Sequence, residues 1–378
     1  MSSGPTVVDL YCGAGGFGLG AELAGFHSLA AIDIDETLQS AYRLNFPNTH
    51  AIQADVGQLT QSAWRFLLKD RRPDGVIGGP PCQGFSRIGK RDNEDPRNTL
   101  ISKFFEQVGY LDPKFFIMEN VEGLLDERTV DILYSSLEPI ARRYTVLDPM
   151  IIKASDYGAP TTRTRVVVVG YRPDELDTLT IGDFAPPKSC RKVKAGQAIE
   201  DLSSPIAISP YQQQFVWGGY RSDKSFRLSQ YAKRMRRSPK KGLGWATALK
   251  QLANGLVSGF SDTSHSEAVA QRFQATSPGT TEKVSRYPKL HPLEFCPTLR
   301  AGTGSDKGSF QAMRPIHYRA PRVITVREAA RLQGFPDWFV FHPAKWHSFR
   351  MIGNSVSPIV SQKILKVINQ KFSLKKAA

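Results

Sequence analysis

The feature that most constrains this chain is a rhythm in its first 170 residues. Short apolar runs alternate with amphipathic stretches, and the connections between them are short. Thr6–Tyr11, Leu29–Ile32, His50–Ala54, Gly75–Ile77 and Phe115–Met118 read as strands, with Tyr144–Ile152 and Arg165–Gly170 as late strands. Phe17–Ala24, Glu36–Asn45, Leu100–Leu111 and Val130–Arg143 read as helices between them. Strand and helix in alternation call for a parallel, doubly wound α/β sheet with helices on both faces. The pattern breaks after Asp183, and Ala185–Pro187 is a candidate linker. Residues 188–320 are rich in Gly, Ser and Pro and predict a smaller, irregular domain of short strands and loops. Val326–Leu332 and Ser357–Phe372 return to helical spacing, and Ser373–Ala378 reads as a frayed tail. The expected organisation is therefore residues 1–186, a small domain over 187–336, and a segment 337–378 that returns to the first domain.

Charge divides along the same lines. The chain carries 50 Lys and Arg against 35 Asp and Glu, a net charge of +15. Residues 1–185 hold 18 basic and 25 acidic side chains, whereas residues 186–336 hold 25 and 9. The run Arg221–Lys241 is basic with interleaved Phe226 and Tyr231, followed by Trp245. Such a patch suits a polyanion, because each cation that meets a phosphate releases a counterion. The longest apolar runs, such as Val166–Val169, fall far short of the ~18 residues that span a bilayer. No secretory signal pattern opens the chain. Cys12, Cys82, Cys190 and Cys296 are too dispersed for a disulfide framework or a zinc pair, so no metal site is expected. The reading is a cytoplasmic protein with reduced thiols.

Three stretches carry the chemistry. Asp9–Gly20 follows a strand, opens a helix and contains Gly13, Gly15, Gly16, Gly18 and Gly20. Glycines permit a tight turn and let a ligand approach backbone N–H groups. Asp33 ends the second strand, where an acid accepts from ribose hydroxyls, and Asp55 ends the third, placed to accept from an adenine amino group. These residues point to an adenosine-containing cofactor; NAD, FAD and S-adenosylmethionine sites all use such loops. Gly78–Ser86 follows an apolar strand and puts Cys82 at its C-terminal edge, behind Pro80 and Pro81. A thiol there is a candidate nucleophile that needs activation. Glu119 ends another buried strand and is a candidate acid or hydrogen-bond donor. Arg163 and Arg165 alternate along the last strand and so share one face.

Together these motifs resemble the DNA (cytosine-5) methyltransferases. The resemblance covers residues 6–170 and 322–360, in consistent order: the loop Asp9–Gly16, Pro80-Pro-Cys-Gln83, Glu119–Val121, Arg327–Pro336 and Gly353-Asn-Ser-Val356. Thr161 stands where the family usually has glutamine, Tyr11 where phenylalanine is common, and Asp33 where glutamate is common. The resemblance implies a Rossmann-like methyltransferase domain that uses S-adenosylmethionine, with a second, smaller target-recognition domain. It assigns the cofactor site to Tyr11, Gly13, Ala14, Gly15, Gly16, Asp33, Ile34, Asp55, Pro81, Leu100 and Asn354. It assigns the chemistry to Cys82, Glu119, Arg163 and Arg165. Cys82 adds to C6 of a flipped-out cytosine, so that C5 becomes nucleophilic. Glu119 holds or protonates N3, and the arginines position base and thiolate. Gly84–Asn98 is expected to close over the base. The implied partner is double-stranded DNA, the expected state a monomer of bacterial modification type. An RNA cytosine-5 methyltransferase and a catalytically silent DNA-binding relative are the alternatives.

Overall fold

The computed structural model describes residues 4–81, 99–208, 214–223, 226–302 and 313–377. Among the described residues eight strands form the main sheet: β1 (Thr6–Leu10), β2 (His27–Asp33), β3 (His50–Gln53), β4 (Gly75–Gly78), β5 (Phe115–Asn120), β6 (Thr145–Val146), β7 (Met150–Lys153) and β8 (Thr164–Tyr171). Their order is β3-β2-β1-β4-β5-β8-β6, and β7 also pairs with β8. The chain winds outward from β1 to β3, then crosses to β4 and winds the other way. The switch point lies between β1 and β4, where open α/β sheets bind ligands beyond their carboxyl edges.

The sheet is not wholly parallel. β1 to β5 pair in parallel, but β5–β8, β6–β8 and β7–β8 are antiparallel. A run such as Val166–Val169 is apolar on both faces in either orientation, so the sequence pattern carried no direction. The expected strand Tyr144–Ile152 is two strands, β6 and β7, laid end to end along β8. They are interrupted before Met150 by Pro149, which lacks the N–H for a ladder.

Helices cover both faces. On one lie α1 (Gly16–Ala24), α2 (Glu36–Asn45) and the long final helix; on the other lie α3 (Gln61–Leu68), α4 (Thr99–Leu111) and α5 (Val130–Leu137). Side-chain alternation divides the core between the faces. Phe115 and Ile117 point to one cluster, and Phe116 and Met118 to the other. α3 was not foreseen. Thr60 caps it by accepting from the Ala63 N–H at 3.2 Å, and Trp64 and Leu68 are buried, but Phe66 is 84% exposed and obscures the apolar stripe. α5 ends at Leu137, and a 3₁₀ turn over Glu138–Ile140 follows it.

Downstream, α6 (Ala195–Ile199), α7 (Gln230–Met235), α8 (Ala246–Ala253) and α9 (Glu267–Ala275) replace most of the expected short strands. Among the described residues only β9 (Trp217–Gly218) and β10 (Val257–Ser258) pair there as named strands. The helices are too short for their periodicity to stand out, and their buried faces meet residues distant in sequence. α10 (Val326–Gln333) opens with a capping box of Thr325 and Glu328. α11 (Lys345–Asn354) and α12 (Pro358–Ala377) complete the chain, so the expected frayed tail is helical to Ala377.

α12 packs against α1. Ser361 Oγ donates to the Gly16 carbonyl at 3.3 Å, Gln362 Nε2 to that of Leu23 at 3.0 Å, and Asn369 Nδ2 to that of Ala24 at 2.9 Å. A side chain at Gly16 would overlap the Val356 carbonyl oxygen. A buried ion network joins the basic region to α10. Arg331, fully buried, donates to Asp337 (Nη2–Oδ2 2.7 Å) and to Asp201 (Nη1–Oδ1 3.1 Å). Arg236 binds Asp201 from the other side, and Tyr220 donates to Asp337 at 2.7 Å. Burial opposes the Asp337 carboxylate, but Arg331 holds its pKa below the ordinary aspartate value.

Candidate active site

The glycine loop turns sharply at the end of β1. Tyr11 takes a left-handed conformation (φ 54°), and Gly15 (φ 95°) packs so closely on Tyr42 and Phe46 that no side chain would fit. Gly13 differs: a Cβ there would meet nothing within 4 Å, so its backbone faces open space. Ala14 is buried in the turn. Asp33 ties this loop to the end of β2. Its Oδ2 accepts from the Gly13 N–H at 2.8 Å, and its Oδ1 from the Asp35 N–H at 2.9 Å. Burial raises the Asp33 pKa, with these two N–H groups opposing. Each carboxylate oxygen keeps a lone pair beyond its intramolecular bond. Ile34 follows with its side chain 65% exposed, an apolar surface beside the carboxylate.

Asp55 stands past the end of β3 rather than on it, exposed, where it caps a 3₁₀ turn by accepting from the Gly57 N–H at 2.8 Å. Tyr11 donates its hydroxyl to the Leu100 carbonyl at 3.3 Å, joining the loop to the start of α4. Burial pushes the Tyr11 phenol up, and Asp55, Asp33 and Glu106 push it further. These residues thus gather around one loop. Asp9, fully buried beneath it, has its carboxyl pushed well up by burial.

The second half of the site lies across the switch point. β4 runs into Gly79, Pro80 and Pro81, and Pro81 is exposed. Asn120 Nδ2 donates to the Pro80 carbonyl at 3.3 Å, fixing the approach to Cys82. Cys82 itself and the Gly84–Asn98 segment lie outside the described residues. Glu119, one residue before the end of β5, is 8% exposed and faces both predicted arginines. Its Oε1 is 3.1 Å from Arg165 Nε and 3.9 Å from Arg163 Nη2. Pairing explains the meeting. Val167 stands opposite Glu119, so Arg165, two residues along, falls on the same face.

Arg163 is buried and held from the far end of the chain. Its Nη1 donates to the Gly353 carbonyl at 2.9 Å and its Nη2 to that of Asn354 at 3.5 Å. Asn354 therefore enters through its backbone, with its side chain at an exposed position. Thr161 is buried, accepts from the Arg163 N–H at 3.3 Å, and pairs with Cys296. It anchors the strand entry to the basic region rather than facing Glu119. Sequence reasoning missed Arg350, whose Nη2 is 2.6 Å from Asp35 Oδ2 and which also lowers the Asp33 pKa. The only sequence signal was its place three residues before Gly353.

The basic run is partly consumed internally. Arg221 pairs with Asp223, Arg236 stacks on Tyr220 and pairs with Asp201, and Tyr231 is buried. Arg227, Lys233, Arg237, Lys240 and Lys241 remain exposed. Among the described residues no cluster of His, Cys, Asp and Glu could hold a metal, and no helix is long and apolar enough to cross a membrane.

Comparison with known proteins places this geometry. The family model of the C-5 cytosine-specific DNA methylases matches residues 5–370. The type II methyltransferase M.XorII of Xanthomonas oryzae pv. oryzae is 39% identical, over 97% of this chain and 86% of its own length. M.DdeI of Desulfomicrobium norvegicum is 31% identical over 97% of this chain and 89% of its own. A crystal structure described as a prophage-encoded DNA modification methyltransferase from E. coli superposes with a TM-score of 0.87. It is 39% identical and covers 98% of this chain and 99% of that one. The S. pombe Dnmt2 methyltransferase (TM-score 0.61, 16% identity, 97% and 98% coverage) shares the fold. The chain thus belongs to the C-5 cytosine-specific DNA methylase family, a DNA (cytosine-5) methyltransferase akin to type II modification enzymes.

Proposed function

We propose that this chain methylates C5 of a cytosine flipped out of double-stranded DNA, with S-adenosylmethionine as cofactor and Cys82 as nucleophile. The observation that carries the reading is the meeting of Glu119, Arg163 and Arg165 at the same sheet edge as the Asp33-tied glycine loop. The loop fits the cofactor. Gly13 leaves its backbone open, Asp33 retains acceptor capacity for ribose hydroxyls, and Ile34 offers a flat apolar surface to adenine. Tyr11, Ala14, Gly15, Gly16, Asp55, Pro81, Leu100 and Asn354 would complete its walls. When bound, the cofactor supplies an electrophilic methyl group.

The chain's own residues do the rest. The Cys82 thiolate adds to C6, which turns C5 from a poor nucleophile into an enamine-like one. Glu119 hydrogen-bonds or protonates N3 as negative charge develops on the ring. Arg165 and Arg163 hold the Glu119 carboxyl in place and supply positive potential. Once C5 has taken the methyl group, its proton passes to water, and the electron pair of that C–H bond restores the ring's double bond as the Cys82 thiolate leaves C6 and the product is released. Extrusion of the base costs a few kcal/mol. The exposed cations of residues 187–336 offset this through phosphate contacts, and this region acts as the target-recognition domain between residues 1–186 and the returning segment 337–378. The enzyme works as a cytoplasmic monomer, since one flipped base needs one site.

The test is to incubate the protein and S-adenosylmethionine with unmethylated plasmid DNA or bulk tRNA and to analyse the nucleosides by mass spectrometry. 5-Methyldeoxycytidine in the plasmid is the expected result. Methylation of RNA alone overturns the substrate assignment. Methylation of neither, by folded protein that binds the cofactor, overturns the activity.

A further inference from the structure

Arg314 is a half-buried cation that the fold leaves without an anion. Its guanidinium lies over the buried Phe349 ring of α11, 4.7 Å from the centroid. Among the described residues no carboxylate pairs with it, and no carbonyl or hydroxyl accepts from it. Neighbouring arginines differ. Arg322 makes two bonds to Glu328 at 2.8 Å each, Arg327 donates to the Phe339 carbonyl at 2.8 Å, and Arg331 is held by Asp337 and Asp201. Stacking engages the face of a guanidinium but none of its five N–H donors, which lie in its plane. Burial lowers the Arg314 pKa, and Tyr287 rather than a carboxylate opposes that shift.

A second cation stands beside it. Lys345 precedes Phe349 by four residues and Gly353 follows it by four, so the three share one face of α11. Lys345 is half-buried. It donates to the Asp262 carbonyl and, at 3.3 Å, to Thr263 Oγ1, which leaves one of its three N–H groups. Burial and the Arg314 charge both lower its pKa, with Asp262 opposing. Gly353 packs on the backbone of Arg300 and Ala301, and the Arg300 carbonyl accepts from the Met313 N–H at 3.1 Å. Arg300 is exposed and has no carboxylate partner among the described residues. This group of cations therefore starts about 6 Å along α11 from the residue whose carbonyl holds Arg163. We propose that Arg314 and Lys345 clamp a backbone phosphate of the DNA, Arg314 through two N–H groups of its edge and Lys345 through its remaining one. Phe349 fixes the plane of the fork, so little side-chain freedom is lost on binding. The phosphate belongs to DNA because the cations stand next to the Arg163–Glu119 pair, where the target base is read to sit. The inference rests on that reading and assigns it two further DNA-binding residues.

The salt dependence of binding to a linear fragment of unmethylated plasmid tests it, over about 50 to 200 mM salt. Arg314→Met keeps the packing over Phe349 and removes the charge. It should weaken binding about 10-fold at the low-salt end and flatten the slope of log K against log salt by about 0.9, one phosphate's share. Arg314→Lys, which keeps the charge but not the fork, should retain the parent slope with a smaller loss of affinity. An Arg314→Met protein with the parent slope overturns the proposal whatever its stability or rate, because a cation that only stacks on Phe349 predicts that result. Should Arg314→Met fail to fold by circular dichroism, Lys345→Gln decides through the same slope. Calorimetry with inorganic phosphate separates the sources of the anion. Phosphate bound by the parent and not by Arg314→Met, with the DNA slope unmoved, assigns the site to a free anion and overturns the proposal. A parent that binds no DNA defeats the substrate reading and the inference together. A parent that binds DNA with a slope its variants share defeats the inference alone.

Discussion

Gly353 sits near the C-terminal end of α11, and its carbonyl holds Arg163 at 2.9 Å. Gly353→Ala places a Cβ 2.5 Å from the Ala301 nitrogen, 2.6 Å from the Arg300 carbonyl carbon and 2.8 Å from the Ala301 Cα. All three atoms are backbone, so no flexible side chain can swing away. Contacts of this kind rarely fall below 3.0 Å, so the two segments must part by at least about 0.5 Å. Overpacking on this scale costs roughly 1–3 kcal/mol, against a helix-propensity gain of about 1 kcal/mol for Gly→Ala. Stability should thus fall by at most about 2 kcal/mol. Activity should fall as well. The displaced carbonyl carries Arg163 with it, and Arg163 flanks Glu119. A 1 Å misplacement near a reacting centre costs on the order of 100-fold, so half that shift should cost about 10-fold. The assay is single-turnover transfer of labelled methyl groups to plasmid DNA, with thermal unfolding in parallel. A variant that melts higher than the parent and transfers methyl at the parent rate would refute the reasoning. The propensity gain would then have come without the collision.

Three more outcomes are expected. Arg331→Met strands two buried carboxylates, Asp337 and Asp201, and should cost about 3–5 kcal/mol in urea unfolding, though Arg236 and Tyr220 temper the loss. Burial disfavours the Glu328 carboxylate, but the Arg322 guanidinium and the Thr325 N–H hold its pKa down to about 2 from an ordinary value of 4.5. A lowered carboxyl pKa stabilises the fold above the unfolded value and loses that contribution as pH falls. Roughly 3 kcal/mol should therefore disappear between pH 4.5 and 2, and unfolding titrations of Glu328→Gln should lack that component. Asp33→Ala releases the Gly13 and Asp35 N–H groups together and should weaken S-adenosylmethionine binding by about 10- to 100-fold in calorimetry, without altering DNA affinity.

Much of the site was legible because its chemistry stands at the ends of strongly apolar strands. Asp33 and Glu119 stand at the carboxyl ends of such runs, and a doubly wound sheet brings those edges together wherever the helices fall, whereas Arg165 opens β8 and reaches the same edge because that strand runs antiparallel. The glycine loop was legible because a turn this tight needs glycine at Gly15. Alternation put Arg163 and Arg165 on one face, but their meeting with Glu119 depends on the antiparallel pairing of β8 with β5. The antiparallel direction of β8 was not legible, since an apolar run has no polarity. Nor were Arg327 and Arg331, which hydropathy assigns to the surface but which lie fully buried among carboxylates and carbonyls. The run Arg221–Lys241 misled in part for the converse reason. Asp201 and Asp223 pair with two of its arginines, and Asp201 lies twenty residues before the run begins. α11 stayed hidden because its buried Phe349, Met351 and Ile352 lie in one turn and make no stripe.

The packing of α1 on α12 sets a clock on the enzyme's birth. Gly16 and Ser361 are 345 residues apart. At about 5–20 residues per second, the glycine loop leaves the ribosome roughly twenty seconds to a minute before the helix that covers it exists. For that interval the nascent chain carries an apolar face of α1 with nothing on it, a natural substrate for a chaperone. The same delay acts as a safeguard. A polypeptide arrested before residue 353 bears the glycine loop and Glu119 but lacks the carbonyls that hold Arg163. An unfinished chain thus holds Glu119 and the glycine loop without the contacts that fix Arg163 beside Glu119.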